Sequence, residues 1–235
     1  MSRGFFVTGT DTGVGKTLIS AALVHGFAQR GFAVAGMKPV AAGCRSERGV
    51  LLSEDVELLK MASNVPLPMH IINPFAFAPA LAPHIAAQQL GVRIELAAID
   101  DAFRQAAAAT EILLVEGVGG FCVPVNDTQS MADVAVMLGC PVILVVGMRL
   151  GCLNHALLTV EAILARGLTL AGWIANCTAP DMPALGENLA ALEMRIPAPR
   201  LGTVPFQLRP DYATVSSRLE FEVFLHRSPP CDGER

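Results

Sequence analysis

The chain has 235 residues, of which 52% are hydrophobic and only 16% charged. A typical soluble domain is about 25% charged, so this chain can bury enough apolar surface to offset its ordering entropy, and intrinsic disorder is excluded. The net charge of −4 leaves no basic footprint for general nucleic-acid binding, which neutralises phosphates with lysine and arginine stripes.

In chain order, Phe5–Thr8 is a short apolar run stopped by Gly9, which predicts a strand. Residues 18–29 place apolar side chains at helical spacing, and Gly31 ends that helix. Val34–Met37 is a strand entering Lys38-Pro39, and Ser53 opens a helix whose apolar positions are Val56, Leu58, Leu59 and Met61. Ile71 to Ala82 is irregular and proline-rich, so a loop is expected there. A helix follows over Ile94–Ala109, then a strand over Ile112–Val115 that ends at Glu116-Gly117. The second half alternates in the same way: helix Met131–Leu138, strand Val142–Val146, helix Leu153–Ala165, strand Ala171–Ala175, helix Met182–Met194 and strand Leu201–Val204. Near-continuous apolar strands point to a sheet covered on both faces. Strand–helix alternation means parallel pairing and an α/β fold of three layers. One domain is expected over residues 1–227, with a frayed tail at 228–235.

The longest strongly apolar stretch, Val134 to Met148, is cut by Gly139-Cys140-Pro141. It falls short of the roughly 20 residues that a spanning helix needs, so no membrane partner is expected. At the N-terminus Arg3 is followed only by Phe5-Phe6-Val7 before polar residues, which is no export signal. The six cysteines show no C-x-x-C spacing and mostly sit in apolar runs. They read as buried, reduced thiols of a cytoplasmic protein.

The strongest motif is Gly9-Thr10-Asp11-Thr12-Gly13-Val14-Gly15-Lys16-Thr17, between the first strand and the first helix. That setting is the one a P-loop requires. Glycines let backbone N–H groups curl round phosphate oxygens, and the helix N-terminus adds a positive end. Lys16 would reach the terminal phosphates, and the Thr17 hydroxyl suits Mg²⁺, which prefers hard oxygen ligands. The spacing departs from G-x-x-x-x-G-K-[ST], because the first-glycine position holds Thr10 and Gly9 lies one step earlier. A glycine-rich turn without a ligand is the alternative reading.

Supporting residues stand at strand ends. Glu116 closes an apolar strand, and a carboxylate there points into the ligand crevice of a parallel sheet. Asp55 has two readings: a metal ligand, or an acid placed at a helix start by the helix dipole. Lys38 is either a second active-site cation or a solvated lysine. His84, after Pro79–Pro83, reads as a packing or capping residue. Gly151-Cys152-Leu153-Asn154-His155 opens a helix just past a strand, where free N–H groups can hold a carboxylate.

Taken in order, the P-loop block, Lys38-Pro39-Val40, Val115-Glu116-Gly117-x-Gly119-Gly120, Leu150-Gly151-Cys152-x-Asn154-His155 and Ala171-Gly172-Trp173-x-Ala175-Asn176 resemble the dethiobiotin synthetase family. The resemblance spans about residues 3–211. It implies a homodimeric ATP- and Mg²⁺-dependent ligase of biotin synthesis, acting on 7,8-diaminononanoate and CO₂ or bicarbonate. It implies a carbamate on one amine, its phosphorylation to a carbamic–phosphoric anhydride, and ring closure by the second amine. Carried over by position, Lys16 and Lys38 are catalytic, and Thr17, Asp55 and Glu116 hold the metal. Gly13, Val14, Gly15, Lys16, Thr17 and Leu18 cradle the triphosphate, joined by Gly117, Val118 and Gly119. Asn176, Cys177, Pro205, Phe206, Gln207 and Asp211 fall in the adenine region. Thr12, Lys38 and Ala42 face the diamine, while Gly151, Cys152, Leu153 and Asn154 hold its carboxylate in the other subunit's site. Ala42 stands where the family often has Ser or Thr. The rival class is the partner-regulated ATPases of the same P-loop group, whose loop carries a lysine five residues before the P-loop lysine. That position here is Asp11.

Overall fold

The computed structural model describes residues 2–47 and 49–227; the expected tail at 228–235 lies outside the described residues. β1 (Arg3–Gly9) leads through the glycine loop into α1 (Lys16–Gln29), followed by β2 (Val34–Met37). Three short strands come next, β3 (Val40–Ala42), β4 (Arg45–Glu47) and β5 (Val50–Leu52), then α2 (Glu54–Ala62), α3 (Met69–Ile72), β6 (Phe75–Phe77), α4 (Pro83–Gln89) and α5 (Leu96–Ala109). β7 (Ile112–Glu116), α6 (Met131–Leu138), β8 (Val142–Met148), α7 (Cys152–Ala165), β9 (Leu170–Cys177), α8 (Leu185–Glu193) and β10 (Arg200–Val204) continue the alternation. α9 (Tyr212–Ser216) and α10 (Glu222–Arg227) close it.

Six strands form one sheet in the order β10-β9-β8-β1-β7-β2, every neighbour parallel. Side chains alternate across it with the period of two that a strand imposes. Phe6, Leu113, Leu144 and Trp173 pack on one face under α4 to α8. Phe5, Leu114, Ile143 and Ile174 pack on the other under α1, α9 and α10. Both faces are therefore apolar, which is why these strands read as continuous hydrophobic runs. α6 is set by a capping box: Ser130 and Asp133 exchange bonds at its start, and Gly139 ends it at φ 62°.

The expected elements recur with differences of up to three residues at their ends, the largest at the start of α8, and three expectations need correction. The stretch Ile71–Ala82 is not simply a loop: it holds the end of α3 and all of β6, which pairs in parallel with β3 outside the main sheet. Its partner lies more than thirty residues away in sequence, so local composition carries no trace of the pairing. Met61 is 72% exposed, and Ala62 takes its place in the core of α2. Cys122 is exposed, whereas the thiols of Cys44, Cys140, Cys152 and Cys177 are buried. No helix among the described residues is long and apolar enough to cross a membrane.

Candidate active site

All six strands point the same way, so their C-terminal ends share one edge, and the residues that follow each strand meet there. β1 delivers the glycine loop to the middle of that edge. Its direct neighbour β7 ends in Glu116, and Lys38 follows β2 one strand further on. On the other side Arg149 follows β8, Asn176 is the penultimate residue of β9, and Pro205 follows β10.

The loop is held open by close approach. Val14 is buried over Gly9 and Gly147, where any Cβ would come within 2.6 Å and 2.7 Å of its methyl groups. This contact explains why the leading glycine is at position 9. Gly15 sits at φ 90°, and a Cβ there would lie 2.2 Å from Asn176 Nδ2, which instead donates to the Val14 carbonyl at 2.8 Å. α1 starts at this point with no side-chain cap and no acid in its first turn. Its N–H groups and positive end remain directed at the loop, the arrangement that receives a phosphate.

Opposite the loop lies a charged cluster. Lys38 Nζ is 2.6 Å from Glu116 Oε1 and 2.8 Å from Asp55 Oδ2, and it donates to the Gly117 carbonyl at 3.1 Å. Thr17 Oγ1 donates to the same Glu116 oxygen at 2.8 Å. Lys38 and Glu116 are buried, while the Asp55 side chain is 42% exposed. Burial alone would lower the Lys38 pKa, but the two carboxylates overcome it and hold it above the ordinary lysine value. Burial pushes the Asp55 carboxyl up, and the Lys38 ammonium beside it brings it below the usual carboxylate range. Lys16 is buried and has no such partner. Desolvation first, then the Lys38 charge, lowers its pKa to about 8, and its Nζ donates to the Asp11 carbonyl at 2.9 Å. The three residues expected to hold a metal thus converge. Glu116 Oε2 is buried with no hydrogen-bond partner. An unpaired carboxylate oxygen beside a hydroxyl and a second carboxylate is a hard-oxygen donor set that fits Mg²⁺.

Other expected residues fall around this centre. Thr12 and Gly13 are exposed at the loop tip, Leu18 is half-buried, Gly117 is buried, and Val118 and Gly119 are half-buried beside it. Ala42, Arg45 and the 52–55 stretch wall a cavity of about 300 Å³ against Asp55. Gly151 (φ 93°) opens α7, with Cys152 buried, Leu153 half-buried and Asn154 exposed. Cys177 is buried beside Asn176; Pro205 and Phe206 are exposed and Gln207 half-exposed. Asp211 is the N-cap of α9: its carboxylate accepts from Ala213 N, Thr214 N and Thr214 Oγ1. One residue of this edge escaped the reading of the sequence. Arg149 pairs with Asp11, Nη2 to Oδ2 at 2.5 Å. The signal that marked Lys38, a cation just past an apolar strand, marks Arg149 as well.

The AAA domain family matches residues 3–211. The chain is 50% identical over 220 residues to the ATP-dependent dethiobiotin synthetase of Nitrosospira multiformis, covering 94% of this chain and 96% of that one. The synthetases of Ralstonia nicotianae (50%, 94% and 97%) and Aromatoleum aromaticum (51%, 92% and 96%) match as fully. The chain belongs to the dethiobiotin synthetase family. Among solved structures, the septum site-determining protein MinD complexed with Mg-ADP from Pyrococcus horikoshii superposes with a TM-score of 0.53 at 16% identity, over 97% of this chain and 90% of that one. The Pyrococcus furiosus cell division ATPase MinD gives 0.50 at 18%, over 87% and 84%. At such identities the likeness establishes the P-loop fold shared by these proteins and the family.

Proposed function

We propose that the protein carries the activity for which its relatives are named. It uses ATP, with Mg²⁺, to close the ureido ring of dethiobiotin from 7,8-diaminononanoate and CO₂. The observation that carries this reading is the Lys38–Glu116–Asp55–Thr17 cluster, buried at Lys38 and Glu116 and facing Lys16 across the glycine loop, in a chain half identical to those synthetases.

One amine of the substrate combines with CO₂ as a carbamate. A carbamate oxygen attacks the γ-phosphorus of ATP, and ADP leaves. The second amine then attacks the carbonyl carbon of the anhydride, inorganic phosphate leaves, and the ring closes. The first transfer brings two anions together, so positioning and electrostatics supply most of the catalysis. Lys16 leaves the Asp11 carbonyl for the β- and γ-phosphates. Thr17, Asp55 and Glu116 would hold Mg²⁺, which neutralises phosphate charge. Lys38 has all three N–H bonds committed to Glu116, Asp55 and Gly117. An incoming anion reaches it by displacing Asp55, the partner open to solvent. Lys38 thereby meets the charge shared by carbamate and γ-phosphate, which is greatest in the transition state. The Asn176 amide, pinned to Val14, links the adenine region to the loop that cradles the triphosphate.

We further take the enzyme to be a homodimer in which Gly151–Asn154 of one subunit hold the substrate carboxylate in the other's site. Outward apolar residues at this turn and along α7 support that arrangement: Leu150 is fully exposed, Leu158 56% and Leu164 45%. The work belongs to the cytoplasm, where the buried thiols stay reduced.

The test is phosphate release. ATP alone should give none, because the phosphoryl acceptor does not exist until diamine and CO₂ have met. Diamine and bicarbonate together should release one phosphate per ring closed. Rapid hydrolysis of ATP without amine would overturn the reading in favour of a partner-regulated ATPase.

A further inference from the structure

We propose that Arg149 is a positioning residue that couples the phosphate loop to the turn opening α7. The proposal rests on the reading above, in which the loop binds ATP and the turn at 151–154 binds the diamine carboxylate.

Arg149 is the first residue past β8 and holds both segments. Its guanidinium grips Asp11 Oδ2 at 2.5 Å. The other carboxylate oxygen of Asp11 accepts the Thr12 N–H at 2.8 Å, and the Asp11 carbonyl accepts Lys16 Nζ at 2.9 Å. The carbonyl of Arg149 accepts the Cys152 N–H at 3.0 Å, closing the turn through Leu150 and Gly151. Two further bonds brace the loop against the same strand: Thr10 N donates to the Val145 carbonyl at 3.0 Å, and Gly147 N donates to Thr10 Oγ1 at 3.3 Å.

These contacts change when nucleotide arrives. A triphosphate draws Lys16 off the Asp11 carbonyl, and Arg149 and the Thr12 N–H are then what hold Asp11. The shift at Asp11 therefore reaches the guanidinium, and through the Arg149 backbone the N-terminal turn of α7. Both side chains are about half exposed, and an exposed pair of this kind contributes little to folding. Stability does not account for the pair, whereas its place between the two segments does. Coupling between binding sites is reciprocal, so each ligand must tighten the other by the same factor.

The experiment titrates the whole enzyme, with Mg²⁺, with the β,γ-methylene analogue of ATP by calorimetry. Titrations run with and without saturating 7,8-diaminononanoate, bicarbonate being omitted, and the reciprocal titration is run as well. In the unsubstituted enzyme each ligand should tighten the other by about fivefold or more. Arg149→Gln should bring that factor to about one, with each ligand alone binding as before and the thermal midpoint unchanged. Arg149→Lys, which keeps the charge, should retain part of the coupling. Asp11→Asn should lose it as fully, and the double substitution should lose nothing more, as befits two members of one contact. Intact coupling in either Arg149→Gln or Asp11→Asn overturns the proposal, as does independent binding in the unsubstituted enzyme; neither result touches the synthetase reading. Failure of the unsubstituted enzyme to bind the diamine at all overturns that reading and the proposal with it.

Discussion

The edge that carries the phosphate loop and the layer beneath α10 are built from opposite materials. Under α10, Phe5, Phe27, Phe221 and Phe224 are all buried, their ring centroids 5.1 to 6.2 Å apart, mostly edge to face. Each ring leaves water without leaving a polar group behind, so this layer stabilises the fold directly. At the loop edge Lys16, Lys38 and Glu116 are just as buried. There, desolvation works against folding, and the ion pairs only offset it. The aromatic layer holds the molecule together, while the charged edge is held in place by it and waits for ligands to complete its pairing.

The contrast between the two regions is sharpest at Lys16. Lys16→Ala should lower kcat by about a thousandfold or more and leave the thermal midpoint unchanged or slightly raised, because a buried cation without a carboxylate partner is removed. A large loss of stability in this variant would show that the charged edge also supports the fold. Phe221→Ala is the mirror experiment. It should cost about 3–5 kcal/mol of stability by denaturant titration, with kcat per folded molecule unchanged.

A second pair of substitutions grades the charged edge itself. Glu116→Gln and Asp55→Asn should both raise the Mg²⁺ concentration needed for half-maximal rate. Glu116→Gln should do so more, since Glu116 is buried with one oxygen unpaired and Asp55 is partly solvated. Equal effects would mean that burial does not set the contribution of each carboxylate.

The pH dependence follows from Lys16. Its ammonium titrates at about 8 in the fold against the ordinary 10.5. Between these values the unfolded chain binds more protons, so this group makes the fold more stable as pH rises across that window. Activity moves the other way. kcat/KM for ATP, which reports the free enzyme, should fall about tenfold per unit above pH 8. kcat should hold to higher pH, because bound phosphate favours the ammonium. A kcat/KM profile flat to pH 10 would contradict the lowered pKa. The smallest effect is expected at Asp211. Asp211→Ala should lower the thermal midpoint slightly through loss of the α9 cap and leave KM for ATP unchanged; a raised KM would place Asp211 in the adenine region.

The alternation of strands and helices, the P-loop and the family were all legible in the chain's residues. These features are written in contiguous residues: apolar runs, helical spacing, and glycines beside Lys16 and Thr17. The carboxylate of Glu116 and the cation of Lys38 were legible as strand-end residues, though not as a pair. Strand order decided that, by setting β7 between β1 and β2 so that residues 78 positions apart meet at 2.6 Å. Tertiary structure alone also paired β6 with β3, turned Met61 outward and gave Asp211 to the α9 cap. It brought Arg149 to Asp11 across 138 residues. The reason is common to all of these. A periodic pattern records which face of an element is buried, but hydrogen bonds and ion pairs between distant segments depend on which elements lie side by side, and no local run of residues encodes that adjacency.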